Sequence, residues 1–146
     1  MYVERTFSVP RPVDTVFDYL SDFTTTNEWD PGTIKTTRTA GDGGVGTTYA
    51  NTSEFNGRRT DLVYETKVHE RPGRVHFQGR NKTVTTVDAM SFVPTADGSS
   101  TEITYRADFQ FVFPLNLVAP LFLRGKLDKL ADETVEQIEK ALLNRA

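Results

Sequence analysis

Hydrophobic positions along the chain follow two periods, and the change comes near residue 114. From Leu123 onward apolar side chains recur three or four apart, at Leu123, Leu127, Leu130, Ile138 and Leu142, with Thr134 in the same row. Ala131, Val135 and Ala141 widen this stripe, and charged residues fill the opposite face. The spacing predicts one long helix from Pro120 to Leu143, roughly 35 Å in length at about 1.5 Å per residue.

Before Phe113 the period is two. Alternation predicts strands over Tyr2–Val9, Thr33–Thr39, Gly46–Phe55, Arg59–Glu70, Arg74–Gly79, Lys82–Pro94 and Thr101–Phe113. Turn-forming residues separate the later ones, among them Asn56-Gly57, Arg71-Pro72-Gly73, Gly79-Arg80-Asn81 and Asp97-Gly98-Ser99. Such short connections imply antiparallel neighbours. Pro10 and Pro12 end the first strand, and Val13, Val16, Phe17 and Leu20 give a short helix its apolar face. Arg5 is a misfit in the otherwise apolar row Val3, Phe7, Val9.

A sheet and a helix that each carry one apolar face bury both by packing together. The fold class expected is α+β: a curved antiparallel sheet of about six or seven strands wrapped around a long C-terminal helix, with one or two short helices after the first strand. Residues 1–146 read as one domain, with no repeat, low-complexity tract or linker.

Composition narrows the chemistry. The absence of cysteine excludes disulfides, thiolate metal sites and a cysteine nucleophile. A net charge of −3 with both signs interspersed excludes the basic stripe that nucleic acid requires, so no nucleic-acid partner is expected. Arg58-Arg59 reads as a solvated hairpin tip. The start of the chain lacks the pattern of a secretory signal, and the apolar run Leu117–Leu123 is short and interrupted by Pro120. A soluble, cytoplasmic chain without a transmembrane segment is expected, its oligomeric state left open. Gly41, Gly43 and Gly46 spell the dinucleotide pattern, but β-prone residues follow where that motif needs a helix. A hairpin is expected there, and no cofactor. His69 and His76 lack metal-ligand spacing and read as surface residues, so no metal site is expected either.

Four stretches are distinctive when taken together. They are Val9-Pro10-Arg11-Pro12-Val13-Asp14-Thr15-Val16-Phe17-Asp18-Tyr19-Leu20, Asn27-Glu28-Trp29-Asp30-Pro31-Gly32, Gly44-Val45-Gly46-Thr47-Thr48-Tyr49 and Arg71-Pro72-Gly73-Arg74-Val75-His76-Phe77. With the long terminal helix, they resemble the START-related helix-grip (SRPBCC) superfamily, and within it the polyketide cyclase/dehydrase and lipid-transport group. The resemblance implies a mostly apolar cavity between sheet and helix. Members bind or transform polyketides, lipids, sterols and aromatic hormones. They share no universal catalytic triad, so no catalytic residue carries over.

Taking the more apolar set of each strand as inward gives Tyr49, Asn51, Ser53 and Phe55; Leu62, Tyr64, Thr66 and Val68; Val75 and Phe77; Val84, Thr86, Asp88, Met90 and Phe92; and Ile103, Tyr105, Ala107, Phe109 and Phe111. The ligand-binding candidates are Trp29, Tyr49, Asn51, Tyr64, Phe77, Met90, Tyr105, Phe109, Phe122 and Gly125. Tyr64, Asp88 and Tyr105 are the candidate acid–base groups. Two readings of Asp88 stand: a buried acid with a raised pKa, or a solvated residue on a slipped strand, which residue statistics favour. Gly125 marks either a close crossing or open volume beside the helix. The first functional reading is a binder of a hydrophobic or aromatic small molecule. The alternatives are a polyketide cyclase/dehydratase-type enzyme, or a protein-interaction module using the same groove.

Overall fold

The computed structural model describes residues 1–144; Arg145 and Ala146, the end of the expected 1–146 span, lie outside the described residues. The elements are β1 (Tyr2–Val9), α1 (Val13–Leu20), a 3-10 turn (Phe23–Thr25), α2 (Thr26–Trp29), β2 (Thr33–Ala40), β3 (Thr48–Phe55), β4 (Arg58–Glu70), β5 (Arg74–Arg80), β6 (Val84–Pro94), β7 (Thr101–Phe111) and α3 (Leu115–Leu143). The strands form one seven-stranded sheet in the order β1-β7-β6-β5-β4-β3-β2, antiparallel throughout. β2 to β7 form a meander of short connections, and β1 closes on the last strand. The architecture is the α+β one that the periodicities predict, one antiparallel sheet with a long C-terminal helix packed on it, and the helix grip that the resemblance implies.

α3 packs mainly on β1, β7 and α2. Its buried row is Leu127, Ala131, Thr134, Ile138 and Leu142, the apolar stripe of the sequence. Two arginines fasten it. Arg5, the misfit on the inner face of β1, donates from Nε to Asp132 Oδ1 at 2.8 Å and from Nη2 to the Asp128 carbonyl at 3.3 Å. Arg11 donates from Nε to the Leu142 carbonyl at 3.0 Å and from Nη2 to the Leu143 carbonyl at 2.8 Å, satisfying acceptors that the helix end leaves open.

Several boundaries depart from the pattern. α3 begins at Leu115, so Pro120 lies inside the helix; it is solvent-exposed there, and the carbonyl its missing N–H cannot reach belongs to the outermost turns. β7 stops at Phe111, two residues early, and β5 runs on through Gly79 to Arg80. The larger correction is on β4. A register shift between Thr66 and Val68 pairs Val68 with His76 and His69 with Val75. One extra residue reverses the alternation beyond it. Val68 therefore leaves the inner face on which alternation placed it. His69, read as a surface residue, turns inward and meets the edge of Phe17 with ring centroids 5.1 Å apart.

The glycines Gly41, Gly43 and Gly46 lie in the β2–β3 connection, and all three take positive φ. That backbone is readily available only to glycine. A hairpin, and not a nucleotide loop, is what these residues build.

Candidate functional site

The cross-strand register decides which inward side chains meet. Phe109, Thr86, Gly79, Tyr64 and Tyr49 lie in one row across β7, β6, β5, β4 and β3. The next row holds Ala107, Asp88, Phe77 and Thr66, and the one beyond it Tyr105, Met90 and Val75. Asp88, Tyr105, Thr86 and Tyr64 thus converge on the inner face of the sheet. Tyr105 Oη donates to Asp88 Oδ1 at 3.1 Å, and Thr86 Oγ1 donates to Tyr64 Oη at 3.3 Å. Gly79 makes this possible. A Cβ built on it would stand 2.6 Å from Cε1 and Cζ of Tyr64, so the phenol ring lies directly on the glycine backbone.

Asp88 lies on the inner face of the sheet, where its neighbours desolvate it although it keeps some accessible surface. Burial pushes its carboxyl up to about 7; the negative charge of Asp30 adds to the rise, and the Tyr105 hydrogen bond opposes it. Asp30 is raised as well, chiefly by burial, although it accepts the Gly32 N–H at 2.9 Å and the Thr33 hydroxyl at 2.9 Å. No cation is among the groups that shift either carboxylate. The Tyr64 and Tyr105 phenols are pushed upward by burial first and by the carboxylates second, so both remain protonated donors. Two acids and two phenols thus lie within one another's field, with Arg5 of β1 opposite Tyr105 in the ladder. Such an arrangement can present a proton donor and an acceptor to one ligand atom.

The other candidates have distinct surroundings. Trp29 is buried, donates from Nε1 to Thr25 Oγ1 at 2.9 Å, and stands edge-on to the Tyr105 ring at 6.2 Å. It closes the site at α2. Tyr49 and Phe77 are packed beneath Phe23, whose ring centroid lies 5.6 Å from Tyr49, 4.6 Å from Phe77 and 4.3 Å from Tyr64. Met90 has no exposed surface and forms the floor beside Tyr105. Asn51 spends its amide locally: Nδ2 donates to Thr36 Oγ1 at 2.9 Å, and Oδ1 accepts Ser53 Oγ at 2.6 Å. Phe109 is half-buried at the far end of the sheet, stacked on Phe111 at 6.5 Å. Phe122 and Gly125 are exposed on α3 and do not join the cluster; a Cβ on Gly125 meets nothing within 4 Å, which removes the close-crossing reading.

Phe23 and Asp30 were not among the candidates. Asp30 carried a signal, an Asp-Pro-Gly turn whose first residue accepts the N–H two positions on. Its approach to Asp88 depends on how α2 meets the sheet, which no local pattern encodes.

Open clefts on the outside lie elsewhere. One of about 480 Å³ is lined by Lys35, Asp61, Arg80 and Lys82 among others, and one of about 430 Å³ by Asp22, Arg38, Asp42 and His69 among others. Neither contains Asp88 or Tyr105. Their charged walls are largely solvated, whereas the internal cluster holds its acids away from bulk water, and that desolvation marks it as the candidate site. Among the described residues no three His, Asp or Glu side chains come together to hold a metal ion.

A family model described as polyketide cyclase / dehydrase and lipid transport matches residues 2–142. The chain belongs to this family. No curated protein sequence matches it. Among solved structures, this family member is similar to the Zhui aromatase/cyclase from Streptomyces sp. R1128, with a TM-score of 0.82 at 15% identity over 99% of this chain and 94% of that one. It is also similar to a START superfamily protein from Mycobacterium smegmatis (TM-score 0.72, 19% identity, 97% and 93% covered). A third likeness is to a point mutant of norcoclaurine synthase from Thalictrum flavum (TM-score 0.69, 19% identity, 98% and 94% covered). At these identities the likeness establishes the helix-grip fold alone.

Proposed function

We propose that the chain encloses a hydrophobic or aromatic small molecule, of polyketide, lipid or sterol type, between the sheet and α3. Tyr105, Asp88 and Tyr64 hold its polar end. The observation that carries this reading is the acid–phenol cluster on the inner face of the sheet, where Asp88 is desolvated and yet keeps some accessible surface. A carboxylate desolvated in this way costs stability. The expense is understandable when a ligand's carbonyl or hydroxyl takes up the free donors and acceptors. The family assignment and the aromatase/cyclase and synthase neighbours support the same reading.

Proton transfer on that ligand is a second reading, favoured by Asp88 titrating near neutrality. Asp88 would remove a proton from carbon next to a carbonyl, while a phenol steadies the enolate oxygen. After ring closure the same carboxyl would return that proton to the new alkoxide; it would then take the second hydrogen from the same carbon as a proton and hand it to the hydroxyl as the C–O bond breaks, releasing water, leaving a carbon–carbon double bond and restoring the carboxylate.

Native and denaturing mass spectrometry of the freshly purified protein tests binding, followed by thermal shift with aromatic polyketide-like compounds, fatty acids and sterols. A ligand at a hundredfold excess over its Kd stabilises by about 2.7 kcal/mol. No bound mass and no shift with any class overturns the proposal. Asp88→Asn is expected to lower turnover of a poly-β-keto substrate at least about a hundredfold if proton transfer operates. Unchanged turnover removes that reading and leaves binding.

A further inference from the structure

The corner where β7 passes into α3 leaves large apolar side chains in water. Phe113 is 77% exposed, Leu117 62%, Leu121 79% and Phe122 72%. Over the first eight residues of α3 only Ala119 is buried, so this part of the helix has no core to face. Scattered apolar exposure is ordinary, but a contiguous patch of this kind marks a surface that meets something.

The sheet order puts two hairpin turns at the same end. Val112 N–H donates to the Thr83 carbonyl at 2.9 Å, which ties the corner to the β5–β6 turn. Lys126 Nζ donates to Asn56 Oδ1 in the β3–β4 turn, and Arg124 Nη1 donates to the Tyr2 carbonyl at 2.6 Å. These turns carry Arg58, Arg59, Arg80 and Lys82, all exposed. None of the four forms an ion pair among the described residues. Arg124, which also pairs with Asp128, and Lys126 bring the cations at this end of the sheet to six, Arg80 and Lys82 among them lining the outer cleft, against Glu54, Asp61 and Asp128. The chain as a whole carries −3, so a positive end stands against an acidic remainder.

We propose that this end docks on an anionic lipid bilayer, with Phe113, Leu117, Leu121 and Phe122 entering the headgroup boundary and the six cations meeting lipid phosphates. A bilayer surface is the partner that takes apolar and basic groups side by side. A second copy of the chain fits poorly, because a two-fold contact through this corner would set the cations against themselves. The docking surface stands independently of what the internal space holds.

Flotation tests it, using vesicles of phosphatidylcholine alone and of phosphatidylcholine with phosphatidylglycerol in equal parts, at low and high salt. The protein is expected on the anionic vesicles, and salt is expected to release it. Arg58→Glu and Lys82→Glu should each weaken binding by roughly fivefold or more. Leu117→Ser with Leu121→Ser should weaken it at least about tenfold while the thermal midpoint stays in place, since both side chains are already in water. Absence from anionic vesicles at low salt overturns the proposal, as does equal, salt-independent binding to both vesicle types. A concentration-dependent dimer seen by sedimentation, abolished by the double serine variant and unaffected by vesicles, would make the corner a contact between copies and also overturns it.

Discussion

Replacing Asp88 with asparagine is expected to stabilise the protein above neutral pH and to change little near about pH 4. In the folded chain burial holds the Asp88 carboxyl at about 7, against an ordinary value of 3.8. The folded state therefore keeps a proton between those values that the unfolded chain has released, and stability falls as pH rises across that window. The window is about three pH units wide, and at about 1.36 kcal/mol for each the loss above pH 7 comes to about 4 kcal/mol. The accessible surface that Asp88 keeps lets solvent screen part of this, which brings the expected gain to about 2–4 kcal/mol. Asparagine retains a carbonyl to accept from Tyr105 and carries no charge to desolvate. Urea unfolding at a series of pH values measures the difference directly, and a rise in thermal midpoint of roughly 5–15 °C at alkaline pH should accompany it. A difference that does not vary with pH, or a variant weaker than the parent at every pH, would refute the reasoning.

Three further outcomes follow from the packing. Gly79→Ala forces Tyr64 and Thr86 away from a new Cβ that would lie 2.6–2.7 Å from them, and should cost about 1–3 kcal/mol in urea unfolding. Phe23→Ala uncovers Tyr49, Tyr64 and Phe77, and should cost about 3–5 kcal/mol by the same measurement. Arg11→Ala removes two donors from the last carbonyls of α3; hydrogen exchange in the helix's final turn should quicken, with a loss of about 1–2 kcal/mol in stability.

Much of the fold was legible because one face of every strand had to be apolar. Alternation placed Tyr49, Tyr64, Phe77, Met90 and Tyr105 on the inner face, and the ladder pairings put them there. The same alternation placed Asp88 inward, against the statistics that favoured a solvated residue. The pairing of Asp88 with Ala107 and Phe77 shows why: its neighbours on both sides belong to the inner face. Arg5 shows the converse. It was out of pattern on β1 only while the carboxylates of α3 were out of view; once Asp128 and Asp132 stand opposite, a basic residue belongs in that row.

What stayed hidden depended on one inserted residue or on contacts between elements remote in sequence. The extra residue of β4 between Thr66 and Val68 leaves no compositional trace, yet it exchanges Val68 for His69 on the inner face. Gly79 read as a turn residue because nothing in its surroundings announces the Tyr64 ring lying on it. Asp30 belongs to a turn after α2 and Asp88 to the middle of β6, so their shared field exists only after the helical segment folds onto the sheet. The strand pattern specified the wall of the site; burial there raises the Asp88 carboxyl, and the charge of Asp30, in the turn after α2, raises it further. Asp30→Asn removes that charge without touching Asp88 and should therefore lower the Asp88 carboxyl toward its ordinary value, read as a shift of its titration midpoint by NMR.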